Sequence, residues 1–505
     1  MVMTTVGADS VAEQGATPGA SRGTGSIIVL LMCASFVVVL NETIMGVALP
    51  TLMKELDIAA SAAQWLTTAF LLTSAVVVPT TGFLLRRYTL RALFITAMSL
   101  FTVGTAIAAV SPELGALVSP SGGSHVFTVL LVARVIQASG SAILLPLLMT
   151  TVLAAVPAER RGSLMGLVSI VMSVAPAIGP TLSGLILATF DWRFLFVFVL
   201  PVSIGALVLG AVRVRNLTPT EPARLDVLSV VLSALAFGGL IYGLSSLGQV
   251  AEGTEVIPVW IPLAGGVLAL GSFVWRQIAL RNTERVLLDL RVFCLPSFTV
   301  SIVLIVAVMT ALFGALIILP LYLQQVLEMD TFTTGLVMLP GGILMGALAP
   351  IVGRLYDRFG QQPLVLPGVI TLSGALWWMT TLDASASIPL VVAMHCVLGI
   401  GFAFAFTPLV TAGLGDLPVH LYSHGTALLS TLQKVAGATG TALFIAVMTM
   451  GSSAATPGAN AGAIVEAGTH AAFTAGALLS LASVAIASLA TLTHWRRQSK
   501  ERKIA

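Results

Sequence analysis

Charge is scarce in this chain. Only 9% of its 505 residues are Asp, Glu, Lys or Arg, while 57% are hydrophobic. A soluble globular protein is about a quarter charged. A water-soluble core of this length has no use for so much apolar surface, which leaves a chain that crosses a membrane many times. Cysteine is equally sparse. Cys33, Cys294 and Cys396 are odd in number and scattered in or beside apolar runs, so they set up neither a disulfide framework nor a metal site. No GxxxxGKS or GxxxxGKT loop occurs, which removes the usual phosphate cradle and argues against ATP as an energy source. The few polar residues inside apolar runs show no spacing of metal ligands or of a nucleophile with its base. No cofactor, metal or nucleic-acid partner is therefore expected.

What is present is a series of long apolar runs. A spanning helix needs about 20 mostly apolar residues. That window marks fourteen segments, at roughly 27–49, 62–85, 90–111, 125–153, 162–189, 193–212, 226–247, 257–280, 297–324, 331–353, 363–382, 386–413, 422–450 and 469–494. Residues 1–25 are small and polar and read as a disordered tail. The first run is too long for a signal-peptide core and has no clear cleavage site, so it reads as the first span.

The lysines and arginines test this count. With the loops sorted alternately and the N-terminus inside, 20 of the 24 fall on one side. They include Arg86, Arg87, Arg91, Arg160, Arg161, Arg354, Arg358 and the basic tail from Arg496 to Lys503. Only Lys54 and Arg193 fall on the other, and Arg134 and Lys434 lie inside helices. Positive loops stay cytoplasmic, so both termini are expected inside a cell membrane that the chain crosses an even number of times. A weak internal repeat, GFLLRRYTLRALF from Gly82 and GRLYDRFGQQPLV from Gly353, follows the second helix of each would-be half. The expected plan is a tail (1–25), a six-helix bundle (26–215), a central two-helix insertion (216–290), a second six-helix bundle (291–495) and a basic tail (496–505). Such paired bundles bind substrate between halves near the midplane.

Glu42 is the most telling single residue. A carboxylate at bilayer depth costs about 2.5–3.5 kcal/mol on insertion scales, so such groups face cavities and handle ions or protons. It lies seven residues before the end of its run, about 10 Å at 1.5 Å per residue, so a rim position wetted from outside is the plain alternative. Arg134 keeps its proton and either tunes an acid or anchors backbone carbonyls. It shares a helix face with Gln137. Gln433 and Lys434 sit a dozen residues inside their run and are candidate cavity residues. His395 is a possible proton relay, or simply a satisfied helix histidine. Asp226 reads as a helix cap.

Several stretches are similar to a known pattern. LNETIMGVALP (Leu40–Pro50) resembles a first-helix motif LDxTIVNVALP, with the acid moved one place to Glu42. Gly82, Leu84 and Arg87 match a GxLxDRxGR loop in which Arg86 replaces the Asp and Thr89 the second Gly, with Arg91 one place past the motif's last Arg. The second copy, Gly353, Leu355, Asp357, Arg358 and Gly360, keeps both. LVARVIQASG carries an RxxQG-like pattern through Arg134 and Gln137, and Gly166, Ala175, Gly179, Pro180 and Gly184 fit an exporter motif on the fifth helix. LPLYLQQ, with Tyr322 and Gln325, and the turn Asp191-Trp192-Arg193 are also typical.

On these residues the chain resembles the major facilitator superfamily, in its fourteen-helix drug:proton antiporter group and within it the lincomycin-resistance type. The resemblance implies an all-α fold of two six-helix bundles plus two central helices. It implies a proton-coupled exporter of amphipathic or cationic drugs, with lincosamides as candidate cargo, driven by the proton gradient and working as a monomer by alternating access. Glu42, Asn41, Thr43, Arg134 and Gln137 would serve coupling and substrate. Gln433, Lys434, His395, Tyr322 and Gln325 would line the cavity, and the glycine and loop motifs would control conformation. The alternatives are an exporter of a physiological metabolite (amino acid, lipid or siderophore) on the same scaffold, or a membrane-embedded enzyme or sensor.

Overall fold

A computed structural model describes residues 18–58, 60–118, 123–216, 220, 222–246, 257–454 and 461–504. The described residues are helices joined by short turns. The first part comprises α1 (Pro18–Leu56), α2 (Ala60–Arg87), α3 (Leu90–Ala109), the short α4 (Ser111–Val118), α5 (Gly123–Ala155), α6 (Arg161–Thr189), α7 (Phe194–Val197) and α8 (Val199–Arg213). Then come α9 (Val227–Ser245) and α10 (Trp260–Leu280). The last part is α11 (Pro296–Gln325), α12 (Thr331–Phe359), α13 (Gln362–Met379), α14 (Ile388–Gly415), α15 (Tyr422–Ser453) and α16 (Ala461–Ile504). Helices are the structure that such runs must take, because hydrocarbon offers no partner for an open backbone group.

Twelve of the described helices are long and apolar enough to cross a membrane, and a thirteenth follows if the two arms of α6 count as one span. The fourteen expected from the sequence are not reached by this measure. The run at 162–189 bends by 40° between Pro176 and Thr181; prolines at 176 and 180 withhold the N–H groups that would keep it straight. The run at 363–382 yields only the 18-residue α13. α1 begins at Pro18, inside the stretch expected to be a tail, and residues 1–17 of that stretch lie outside the described residues. α16 continues through residue 504, with the basic side chains beyond residue 492 outside the described set.

Local signals place the turns. Thr89 caps α3 by accepting from Ala92 N, Asp330 caps α12 by accepting from Phe332 N and Thr333 N, and Asp226 caps α9 by accepting from Ser229 N at 2.9 Å. Gly360 ends α12 with φ of 75°, a conformation that a side chain resists.

The helices pack as two groups, α1–α8 and α11–α16, that meet along two seams. The more extensive seam joins α6 to α12. Small residues let these backbones touch: a Cβ on Gly166 would strike Ala349 O and Pro350 Cα, and one on Gly353 would strike the Gly162 backbone. The second seam joins α2 to α15, with α9 packed on both and α10 packed on α9. The central pair thus covers one side of the junction between halves.

That pair is tied down by polar contacts. Arg276 donates to both carboxylate oxygens of Asp226, at 2.6 and 2.8 Å. This pairing, with help from Ser229, holds the Asp226 carboxyl well below the ordinary carboxylate range. Buried Gln277 donates to Ser229 Oγ and accepts from Leu287 N and Leu288 N. It thereby fixes the segment after α10 against Gly82 of α2.

Candidate functional site

Glu42 leaves α1 toward the junction of the two halves. There its carboxylate accepts from Lys434 Nζ of α15 at 2.5 Å. The two side chains keep 22% and 30% of their exposure, so the pair is partly wetted and its strength lies between that of a surface and a buried ion pair. It borders a cavity of about 100 Å³. The walls are mostly apolar, with Val38, Val78, Leu145, Met172, Met309 and Phe313 among them, and polar groups come from Ser35, Thr43, Ser141, Ser430 and Gln433.

Arg134 is the largest fully buried side chain among the described residues, 1% exposed. It does not reach Glu42. Its Nη1 donates to Gln137 Oε1 at 2.5 Å and Asn41 Oδ1 at 3.2 Å, and its Nε points at Leu66 O at 3.4 Å. The guanidinium lies 4.3 Å over the Phe70 ring. Gln137 passes the chain on to Thr105 Oγ1 at 2.8 Å, and Thr105 donates to Phe101 O. The reason for the division is helical: neighbours on α1 point about 100° apart, so Asn41 faces α2 and α5 while Glu42 faces α15. Thr43 turns its hydroxyl back to Leu40 O at 2.9 Å, and Gly179 of α6 packs on it.

Of the cavity candidates, Gln433 and Lys434 line it. The others lie elsewhere. Tyr322 is buried near the end of α11 and donates to Asp383 O at 2.6 Å. Gln325, on the last turn of α11, is exposed. His395 is buried between α12 and α14, against Gly341 and hydrogen-bonded to the Met338 backbone. Sequence reasoning missed Ser35 and Ser430. The signal was available: Ser35 precedes Glu42 by seven residues, two turns of α1, and Ser430 precedes Lys434 by four.

The two copies of the loop motif do different things. Asp357 in the second copy sits on the N-terminus of α6, where it accepts from Gly162 N at 2.7 Å, Ser163 N at 2.8 Å and Ser163 Oγ. A carboxylate there satisfies orphan N–H groups and complements the helix dipole, and it latches one half to the other. Arg161 adds a bond to Gly415 O at 3.3 Å and lies over Tyr422. In the first copy Arg86 occupies the place of the acid. Its Nη1 meets His424 Nε2 at 3.3 Å, near the start of α15, so a guanidinium stands at this seam in the place that the Asp357 carboxylate takes at the other. Asp289 stands near His424. Burial raises its pKa, but the Arg291 side chain and backbone outweigh that and lower it. Arg91 bonds Ala211 O within the first half, Arg87 is exposed, Arg358 lies over Phe359, and Gly184 approaches Phe332. The side chain of Pro180 lies outside the described residues.

Thr150–Thr426 and Ser169–Thr407 also cross between the halves, at 2.8 and 2.9 Å. With the Asp357 and Arg161 contacts they cluster toward the end that carries the basic loops. In this conformation the halves are therefore locked together at that end, with the Glu42–Lys434 pair deeper along the axis.

Comparison with known proteins agrees with this architecture. The Major Facilitator Superfamily model matches residues 31–441. The lincomycin resistance protein LmrB of Listeria monocytogenes is 40% identical over 88% of this chain and 90% of its own length. An uncharacterized MFS-type transporter of Bacillus subtilis, YcnB, is 42% identical over 84% of this chain and 86% of its own. Among solved structures, the human organic anion transporter MFSD10 aligns with a TM-score of 0.64 at 14% identity, covering 93% of this chain and all of that one. The proton:xylose symporter XylE aligns at 0.60 and 15% identity, over 91% of this chain and 95% of its own. These two share the fold. The chain belongs to the Major Facilitator Superfamily and is a multi-pass membrane transporter, not an enzyme.

Proposed function

We propose that this transporter is a proton-coupled exporter of amphipathic or cationic drugs, with fourteen spans and both termini in the cytoplasm. The observation that carries the reading is the Glu42–Lys434 ion pair, which joins the two halves beside the central cavity. An acid there can hold a proton or a cation, but not both. Protonation of Glu42 from outside neutralises it and releases whatever cation it holds. Loss of that proton to the cytoplasm restores the negative charge for the next cation. Export and proton entry are then linked by competition at one carboxylate.

The latch at Asp357 supports the rest of the cycle. With the basic loops cytoplasmic, the locked end is the cytoplasmic one, and opening it requires the Asp357, Arg161, Thr150 and Ser169 contacts to break. The Arg134–Asn41–Gln137 network serves to hold α1, α2 and α5 in register beside Glu42. The lincomycin and multidrug resistance names of the relatives favour drugs over a physiological metabolite as cargo. The proton gradient supplies the energy and a single chain suffices.

The test is drug-driven proton release in inverted vesicles, wild type against Glu42→Gln. Lincomycin or a cationic dye is expected to dissipate the pH gradient only with Glu42 present. Equal responses from both proteins would place coupling elsewhere. No response from either, with any drug tried, would turn the reading toward a physiological cargo.

A further inference from the structure

Four polar atoms in the central cavity lack a hydrogen-bond partner among the described residues. They are Ser35 Oγ, Ser430 Oγ, and both Nε2 and Oε1 of Gln433. Their side chains are almost fully buried, with Gln433 5% exposed, and all three residues line the cavity beside Glu42. The other hydroxyls there are satisfied by their own helices: Thr43 by Leu40 O and Ser141 by Ala138 O. A membrane helix could have done the same for Ser430, as it does for Thr431, which donates to Ala427 O. The unpartnered groups come from two helices, one in each half, and point into one space.

Size decides which state this is. Drug-sized ligands occupy pockets of about 300–1,000 Å³, whereas this cavity holds about 100 Å³. It is too small for a drug, and among the described residues that line it the one cation is the Lys434 ammonium on Glu42. On the reading of Glu42 given above, we propose that Lys434 is a tethered stand-in for the transported cation. It occupies the carboxylate when the carrier is empty and must be displaced by cargo. The cargo is then an organic cation that also carries a neutral hydrogen-bonding group, an amide or hydroxyl, near its charged nitrogen. The nitrogen takes the place of Lys434, and the neutral group takes up Gln433, Ser430 and Ser35. Gln433 offers both donor and acceptor, so either polarity of amide is read.

The lysine's role predicts a sign that a merely lining residue would not give. Removing a competitor tightens binding, because apparent affinity is reduced by the fraction of sites that are competent. If Lys434 is seated nine-tenths of the time, its loss tightens cation binding about tenfold. Binding is measured by titration calorimetry on the full chain in nanodiscs at pH 8, with lincomycin as a cation rich in hydroxyl and amide groups and tetraphenylphosphonium as a cation without them. Lys434→Met is expected to tighten both ligands, and Lys434→Gln to do the same should the methionine variant fold poorly. Gln433→Leu is expected to weaken lincomycin about fivefold more than tetraphenylphosphonium, the loss of a neutral hydrogen bond. Weaker or unchanged cation binding in both lysine variants, or an equal effect of Gln433→Leu on the two ligands, overturns the proposal. Glu42→Gln separates the two layers: undiminished binding there sinks the role of Glu42 itself, whereas lost binding with the wrong sign at Lys434 sinks only the stand-in.

Discussion

Asp357→Asn is the sharpest test of how the halves are held. In the wild type two backbone N–H groups and one hydroxyl at the start of α6 donate to this carboxylate. Asparagine keeps one acceptor oxygen of similar reach but loses the charge and the second oxygen. A hydrogen bond to a charged group is worth about 1.5–3 kcal/mol and a neutral one about 0.5–1.5. A charge at a helix N-terminus adds about 0.3–1 kcal/mol. The site is half-buried, so we take the lower part of these ranges, a net loss of about 2 kcal/mol. That is about a thirtyfold rise in the open-to-locked ratio at the basic-loop end. The reporter is Ser169→Cys in a chain whose three native cysteines are replaced. Ser169 is buried beneath the latch against Thr407, so maleimide labels it only when the seam opens, and the labelling rate follows the open fraction. Asp357→Asn is expected to raise that rate about thirtyfold. Arg86→Asp is expected to lower it, since it supplies a carboxylate at the other seam. A rise below about threefold, or the same rise in both variants, would refute the latch.

Two further outcomes follow from the packing. Gly166→Val pushes a branched side chain against Ala349 O and Pro350 Cα, so α6 and α12 must part; export should fall and Ser169→Cys labelling should rise while the protein still reaches the membrane. Asp226 has its carboxyl held low by Arg276, so the stability this pair contributes is full above about pH 4, the ordinary carboxylate value, and is lost as pH falls further. The difference in apparent Tm between wild type and Asp226→Asn, about 1 kcal/mol in origin, should stay constant from pH 7 to pH 5 and shrink below pH 4. A difference that instead grows on acidification would contradict it.

Much of the chain's identity was written locally. Apolar runs of helix length, a basic bias on alternate loops and a repeated loop motif need no long-range contact to be read, because the bilayer imposes the same solvent on every span. Glu42 was visible for the same reason, as a charge where charge is costly, and Asp226 was legible as a cap. The motif departure at Arg86 was also visible, and the structure gives it a consequence: a cation beside His424 where the second copy has a carboxylate on a helix N-terminus.

Pairing was not legible. The sequence places Arg134 and Lys434 inside helices without saying which of them meets Glu42; the approach of α1 to α15 brings the lysine, since adjacent residues on α1 face different helices. Tyr322 and Gln325 sit in a typical stretch, yet the length of α11 carries them to its end and away from the cavity. Ser35, Ser430 and Gln433 acquire meaning only when two helices nearly 400 residues apart in sequence close on one space. The sequence by itself determined that the chain crosses a membrane many times and carries costly charge inside its apolar runs, because both depend on the transfer of a short segment into lipid. The tertiary structure alone decided which charges meet, which hydroxyls are left facing a cavity and which seam is latched, because those depend on helix rotation and distance between segments far apart along the chain.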